Sequence, residues 1–169
     1  MKKQKLVVVG NGMAGARLVE EVLGKGGGDR FDISMFGEEP HGNYNRILLS
    51  GVLSGTHGQD DICINPLEWY ENNDVTLHAG VRAIGIDRKA KTVYAAGGHL
   101  VPYDKLVVAT GSVPFMPPID GLSAEDGSLR NGVFGFRTLD DCAQMIDYAA
   151  GARNVVVIGG GLLGLEAAP

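Results

Sequence analysis

Leu6-Val7-Val8-Val9-Gly10-Asn11-Gly12-Met13-Ala14-Gly15 is the stretch whose reading decides the fold. Its first part is a short β-branched run that stops on a glycine, the mark of a buried parallel strand. From Met13 the apolar residues fall at Met13, Ala16, Val19, Val22 and Leu23, a helical spacing. Gly24-Lys25-Gly26-Gly27-Gly28 ends that helix. Residues 31–36 read as a second strand, closed by Gly37-Glu38-Glu39-Pro40. Strand, helix and strand within about thirty residues make a βαβ unit, whose crossover is expected to be right-handed.

The glycines form a G-x-G-x-x-G after a strand and at the opening of a helix, and each has a mechanical reason. Gly10 permits the tight turn, Gly12 lets the backbone approach a pyrophosphate, and Gly15 lets the helix pack close to the strand. The N–H groups of the helix start, at Met13, Ala14 and Gly15, then face the phosphate charge. Glu38 lies 23 residues beyond Gly15, where a carboxylate accepts hydrogen bonds from a ribose. Glu39 is its rival, but an exposed acid beside a proline is ordinarily a solvated turn residue, so Glu38 is preferred. A glycine turn without a ligand is the plain alternative. A whole unit in register argues for a dinucleotide.

Residues 41–73 are irregular or weakly helical, with short helices expected at residues 47–53 and 67–72. From Asp74 the pattern changes to short segments at residues 75–77, 81–86, 92–95 and 99–101, with a hairpin turn at Gly97-Gly98. These read as an antiparallel or mixed excursion inserted in a parallel fold. Residues 105–109 are again a buried strand, closing on Thr110-Gly111-Ser112, and Pro114, Pro117 and Pro118 mark a connector. A helix is expected over residues 139–150, with Thr138 as its cap and Asp140 and Asp141 in its first turn.

A final strand is expected over residues 154–158, running into Gly159-Gly160-Gly161-Leu162-Leu163-Gly164. This repeats the strand, turn and helix-start logic of the first motif. Two fingerprints in one chain suggest one site for FAD and another for NAD(P)H, so that hydride can pass between them. Five residues follow Gly164, ending at Pro169. A working unit needs a longer helix, a second strand and an acid or arginine at its end. The second site is therefore expected to be truncated and to hold a nicotinamide cofactor poorly. The layout expected is α/β: an incomplete Rossmann-like FAD-binding domain over residues 1–118, a connector and helix over 119–153, and the start of a second Rossmann unit over 154–169.

Composition sets the class. Hydrophobic residues make up 44% and charged residues 21%, the balance of a globular protein with a core rather than a disordered chain. The net charge of −5 argues against a nucleic-acid partner, and no apolar run approaches the length of a membrane span. Leu6 to Val9 is too short for the apolar region of a signal peptide, so a cytoplasmic location is expected. A homo-oligomer is compatible with all of this. Cys63 and Cys142 lack the spacing of a metal set and are read as reduced thiols. His41, His57, His78 and His99 are scattered, Asp60-Asp61 reads as a solvated turn, and neither a catalytic nucleophile nor a metal ligand is singled out.

At this point a family resemblance is carried by Val9-Gly10-Asn11-Gly12-Met13-Ala14-Gly15, Phe36-Gly37-Glu38-Glu39-Pro40 and Tyr44-Asn45-Arg46-Ile47-Leu48-Leu49-Ser50. Tyr103-Asp104-Lys105-Leu106-Val107-Val108-Ala109-Thr110-Gly111-Ser112, Phe136-Arg137-Thr138 and Gly159-Gly160-Gly161-Leu162-Leu163-Gly164-Leu165-Glu166-Ala167-Ala168 extend it. In that order they resemble the front part of the pyridine nucleotide-disulfide oxidoreductase-like flavoproteins, and within them the large subunits of NAD(P)H-dependent nitrite reductases. The resemblance implies that Arg46 contacts the FAD, where a guanidinium suits a diphosphate. It implies that the backbone of Val81 meets the adenine, and that Ala109, Thr110 and Gly111 form the turn against the flavin side. Arg137 falls near the FAD, and Gly159, Gly161 and Gly164 form the NAD(P)H phosphate loop. Gly51 stands where related ferredoxin-type reductases carry a lysine, which favours the nitrite reductase branch.

The activity implied is transfer of electrons from NAD(P)H to FAD and on to a small-molecule electron acceptor through a metal centre whose cysteine ligands this chain does not carry. The chain alone is expected to be inactive. A ferredoxin- or rubredoxin-type NAD(P)H reductase, and a nucleotide-binding module without turnover, are the alternatives.

Overall fold

The computed structural model describes residues 2–168. In chain order the elements are β1 (Gln4–Val9), α1 (Met13–Gly24), β2 (Phe31–Gly37), β3 (Asn43–Tyr44), α2 (Leu49–Leu53), β4 (Cys63–Asn65), α3 (Leu67–Asn72), β5 (Val75–Ala79), β6 (Ala83–Asp87), β7 (Thr92–Ala95), β8 (His99–Pro102), β9 (Lys105–Val108), α4 (Leu139–Ala149) and α5 (Leu162–Glu166). They fall into two units. One holds the residues up to Tyr44 together with Cys63–Gly111, and the other holds Asn45–Ile62 together with the residues from Ser112 onward.

The first unit is built on a four-stranded sheet in the order β5-β2-β1-β9, with every neighbouring pair parallel. The run from Leu6 to Val9 is apolar at every position because both faces of β1 are covered. Leu6 and Val8 pack with Val19 of α1, Tyr70 of α3 and with Ile33, Met35 and Val75 of the neighbouring strands. Val7 and Val9 point the other way, into a cluster with Phe36, Val93 and Ala95. The last two belong to an antiparallel sheet in the order β6-β7-β8, which covers that face. Burying a side chain of this size is worth about 1.5–3 kcal/mol, so β1 anchors the unit from both sides.

The expected βαβ unit, the helix of residues 67–72 and the Gly97-Gly98 turn between β7 and β8 all form. Both glycines of that turn have positive φ, at 76° and 81°. One segment differs from expectation. Residues 75–77 do not join the excursion: β5 is an outer parallel strand beside β2, with Ile33 opposite Val75 and Gly37 opposite Ala79. The alternation of a short strand reads the same whether its partner is parallel or antiparallel.

In the second unit, α2 packs on α4. Leu49, Val52, Leu139 and Cys142 are buried, and the Cys142 thiol donates to the Leu49 carbonyl at 3.7 Å. Thr138 caps α4 as expected. Its hydroxyl accepts from the Asp141 amide at 3.0 Å, and the Asp141 carboxylate accepts from the amides of Thr138 and Arg137 at 2.9 and 2.8 Å. The strand expected over residues 154–158 is a correction, since no strand forms there. A strand takes its order from a neighbour's hydrogen-bond ladder, and among the described residues no strand pairs with this segment; Val156 is 83% exposed. The start of the second Rossmann unit is thus a glycine turn and a short helix, α5, without its strand. Among the described residues no helix is long and apolar enough to cross a membrane.

Candidate functional site

Because the four strands of the main sheet are parallel, their carboxyl ends lie along one edge. Gly10 follows β1, Glu38 follows β2, Gly80-Val81 follow β5, and Ala109-Thr110-Gly111 follow β9. The strand order reverses beside β1, with β2 and β5 on one side and β9 on the other. In open α/β sheets the crevice at such a reversal is where ligands sit. The expected residues of this unit are therefore gathered at that edge by topology.

The glycine loop separates into two structural positions and one open one. Gly10 has φ +114°, and a Cβ there would overlap the Ala109 carbonyl. Its amide donates to Phe36 O at 2.9 Å, while the Ala109 amide donates to Val9 O at 2.7 Å. The turns after β1 and β9 are thus in direct contact. A Cβ on Gly15 would overlap the Gly10 carbonyl, so α1 can lie against the loop only with glycine there. Gly12, with φ −78°, is extended backbone, and a Cβ added to it meets nothing within 4 Å.

The first bond of α1 runs from the Ala16 amide to Gly12 O at 3.0 Å. The amides of Met13, Ala14 and Gly15 are left without a carbonyl in the helix. No acidic side chain stands in the first turn to compete for them. Open space over Gly12 and a helix start without counter-charge fit a diphosphate.

At the next strand end, Glu38 and Glu39 separate. Glu39 accepts the Tyr44 hydroxyl. Glu38 is 68% exposed, with Arg82 Nη1 at 3.4 Å from its carboxylate. An exposed ion pair of this kind is weak and exchanges readily with a ligand hydroxyl. The Val81 amide donates to Gly37 O at 2.8 Å, so the carbonyl is the backbone group it can offer.

In the second unit, Arg46 Nη1 donates to the Arg137 carbonyl at 2.8 Å. The two arginines are brought together through that backbone oxygen, and Arg137 is itself held by Asp141 at the start of α4. Gly51 is a glycine for a local reason: a Cβ there would overlap the His57 imidazole. The second glycine loop repeats the first. Gly159 has φ +131°, a Cβ on Gly164 would overlap the Gly159 carbonyl, and Gly161, at the start of α5, has nothing within 4 Å.

The family model for the pyridine nucleotide-disulphide oxidoreductases matches residues 4–169. The chain belongs to this family. Over 99% of its length it is 49% identical to the assimilatory nitrate reductase electron transfer subunit of Bacillus subtilis and 47% identical to a nitrite reductase [NAD(P)H] of the same organism. It covers 21% and 20% of those two proteins, so it spans about a fifth of the length of each. Among solved structures it resembles the NADH:rubredoxin oxidoreductase from Clostridium acetobutylicum, with 29% identity and a TM-score of 0.83 over 99% of this chain and 41% of that one.

Side chains that the motif alone does not reveal support the first glycine loop of this family member. The Asn11 side chain accepts from the Tyr70 hydroxyl at 2.7 Å and donates to the His41 carbonyl at 3.4 Å. Nearby, buried Asn43 donates to Asn65 at 3.0 Å, and Asn65 donates to Glu20 of α1 at 2.9 Å. Burial pushes the Tyr70 phenol up to about 12. The only sequence signal for this group was a tyrosine at a core position of α3, whose hydroxyl must find a partner.

The histidines are less scattered than their spacing suggests. His78 stacks on Phe36 at 4.5 Å between ring centroids and meets His99 edge-on at 5.4 Å. Burial, with His99 nearby, lowers the pKa of His78. Among the described residues no cluster of histidine, cysteine, aspartate or glutamate could hold a metal ion. Cys63 is exposed and Cys142 buried, and the two are not joined in a disulfide.

Proposed function

We propose that the first unit holds the ADP half of FAD, and that the chain is the front part of an NAD(P)H-dependent flavoprotein oxidoreductase of the nitrite reductase type. The observation that carries this is the pairing of an open Gly12 with a helix start free of acids, at the point where the strand order reverses. In this reading the amides of Met13, Ala14 and Gly15 bind the diphosphate, and Gly10 and Gly15 keep that surface bare. Glu38 accepts the ribose hydroxyls after giving up its exposed pair with Arg82, while Glu39 is kept by Tyr44. The Val81 carbonyl meets the adenine amine, and Ala109, Thr110 and Gly111 lie toward the flavin. Arg46 and Arg137 are assigned as further contacts to FAD, and Gly159, Gly161 and Gly164 as the loop for NAD(P)H.

Bound FAD would supply two-electron chemistry, accepting hydride and releasing electrons to an acceptor. The identities of 49% and 47% to nitrate and nitrite reductase proteins, against 29% to the rubredoxin reductase structure, support the nitrite reductase branch. No group of the described chain is assigned a catalytic role, and turnover is assigned to the longer protein.

The test is a flavin-fluorescence titration with FAD and, separately, with FMN. Recognition through the ADP half predicts that FAD binds and FMN does not. Equal binding of both would place recognition on the isoalloxazine and overturn the assignment.

A further inference from the structure

Tyr70 is 1% exposed, in the core between α1 and the parallel sheet, among Leu6, Val8, Val19, Ile33, Met35 and Val75. A phenylalanine would fill that space without burying a hydroxyl, and a buried hydroxyl costs free energy unless it is hydrogen-bonded. Here the hydroxyl is used. It donates to Asn11 Oδ1 at 2.7 Å and is approached by the backbone amide of Asn43. Asn11 is the residue between Gly10 and Gly12, at the tip of the loop. Its side chain is tied at two further points. Nδ2 donates to His41 O, and its Cβ lies so close to Gly37 that a Cβ on Gly37 would come within 3.0 Å of it. Both ends of the amide are thus engaged with the protein, which fixes the direction of the backbone on either side of Asn11.

We propose that Tyr70 is a positioning residue for the diphosphate loop. Through the Asn11 side chain it fixes the direction of the loop's backbone amides, and so sets affinity for a dinucleotide diphosphate without touching it. This rests on the FAD reading above. Preorganised donors bind better because less order has to be imposed when the ligand arrives. The hydroxyl stays a donor throughout the physiological pH range, since burial disfavours its ionised form.

The experiment compares the chain with its Tyr70→Phe, Asn11→Ala and double variants. FAD affinity is measured by calorimetry, the phosphorus resonances of bound FAD by NMR, and ligand-free stability by urea unfolding. Tyr70→Phe is expected to weaken FAD about tenfold, the scale of one buried hydrogen bond, and to move the diphosphate resonances. Asn11→Ala should do the same, and the double variant should bind no worse than either single one. A purely core-filling Tyr70 would lower the unfolding midpoint with FAD affinity and phosphorus shifts unchanged, which overturns the proposal. Additive losses in the double variant overturn it too. Should Tyr70→Phe fail to fold, Asn11→Ala decides alone, and wild-type affinity in that variant is the contrary result. If the unmodified chain binds no FAD, the FAD reading itself has failed; if it binds and Tyr70→Phe binds equally, only the positioning role has.

Discussion

Three glycines in one motif meet three different surroundings. Gly10 is pressed on the Ala109 carbonyl with a positive φ, Gly15 is pressed on the Gly10 carbonyl, and Gly12 faces open space in an ordinary extended conformation. The first two are required by the fold, and the third is free to serve a ligand. Two buried side chains add a pH dependence at the same scale. Tyr70 is pushed from its ordinary value of 10.0 to about 12, and Cys142 from 9.0 to about 11, in both cases chiefly by burial. A folded-state pKa raised above the unfolded one means that the folded form holds its proton longer. The stabilisation is complete below about pH 9 and is lost as pH rises toward about 12. The urea midpoint should fall between about pH 8 and about pH 11, and fall less in Tyr70→Phe. An equal fall in both proteins would mean that Tyr70 does not contribute.

At the scale of elements, legibility followed the range of the interactions that fix each one. The β1-α1-β2 unit is set by a β-branched run, a helical spacing and glycines close together, so it was readable. The start of α4 was readable because its cap is local: Thr138 and Asp141 satisfy each other's amides. Thr138→Ala should cost about 1 kcal/mol of stability in the second unit, seen as a lower unfolding midpoint with the helix content of the folded state kept. No loss would mean that the capping box is not formed in solution. Elements fixed by distant partners were less readable. Residues 75–77 gave no hint that their partner is β2 in parallel, and residues 154–158 looked like a strand although no ladder pairs with them. The support of the loop by Tyr70 spans 59 residues in sequence, which no local pattern could display.

At the scale of the whole molecule, the parallel order β5-β2-β1-β9 turns separate sequence signals into one edge. Gly10, Glu38, Val81 and Ala109-Thr110-Gly111 are far apart in the chain and each follows a strand of that sheet. The second glycine loop has the backbone geometry of the first but no strand behind it, so only the first sits on a finished sheet edge. The account therefore turns on Gly12. Since a Cβ there meets nothing within 4 Å, Gly12→Val should leave the fold intact and occupy the space that the proposal assigns to the diphosphate. Calorimetric titration of FAD into the unmodified chain and the Gly12→Val variant, both checked for unchanged unfolding midpoints, is the direct measurement. The account predicts binding to the first and none to the second; equal affinity in the two, or no binding to either, would contradict it.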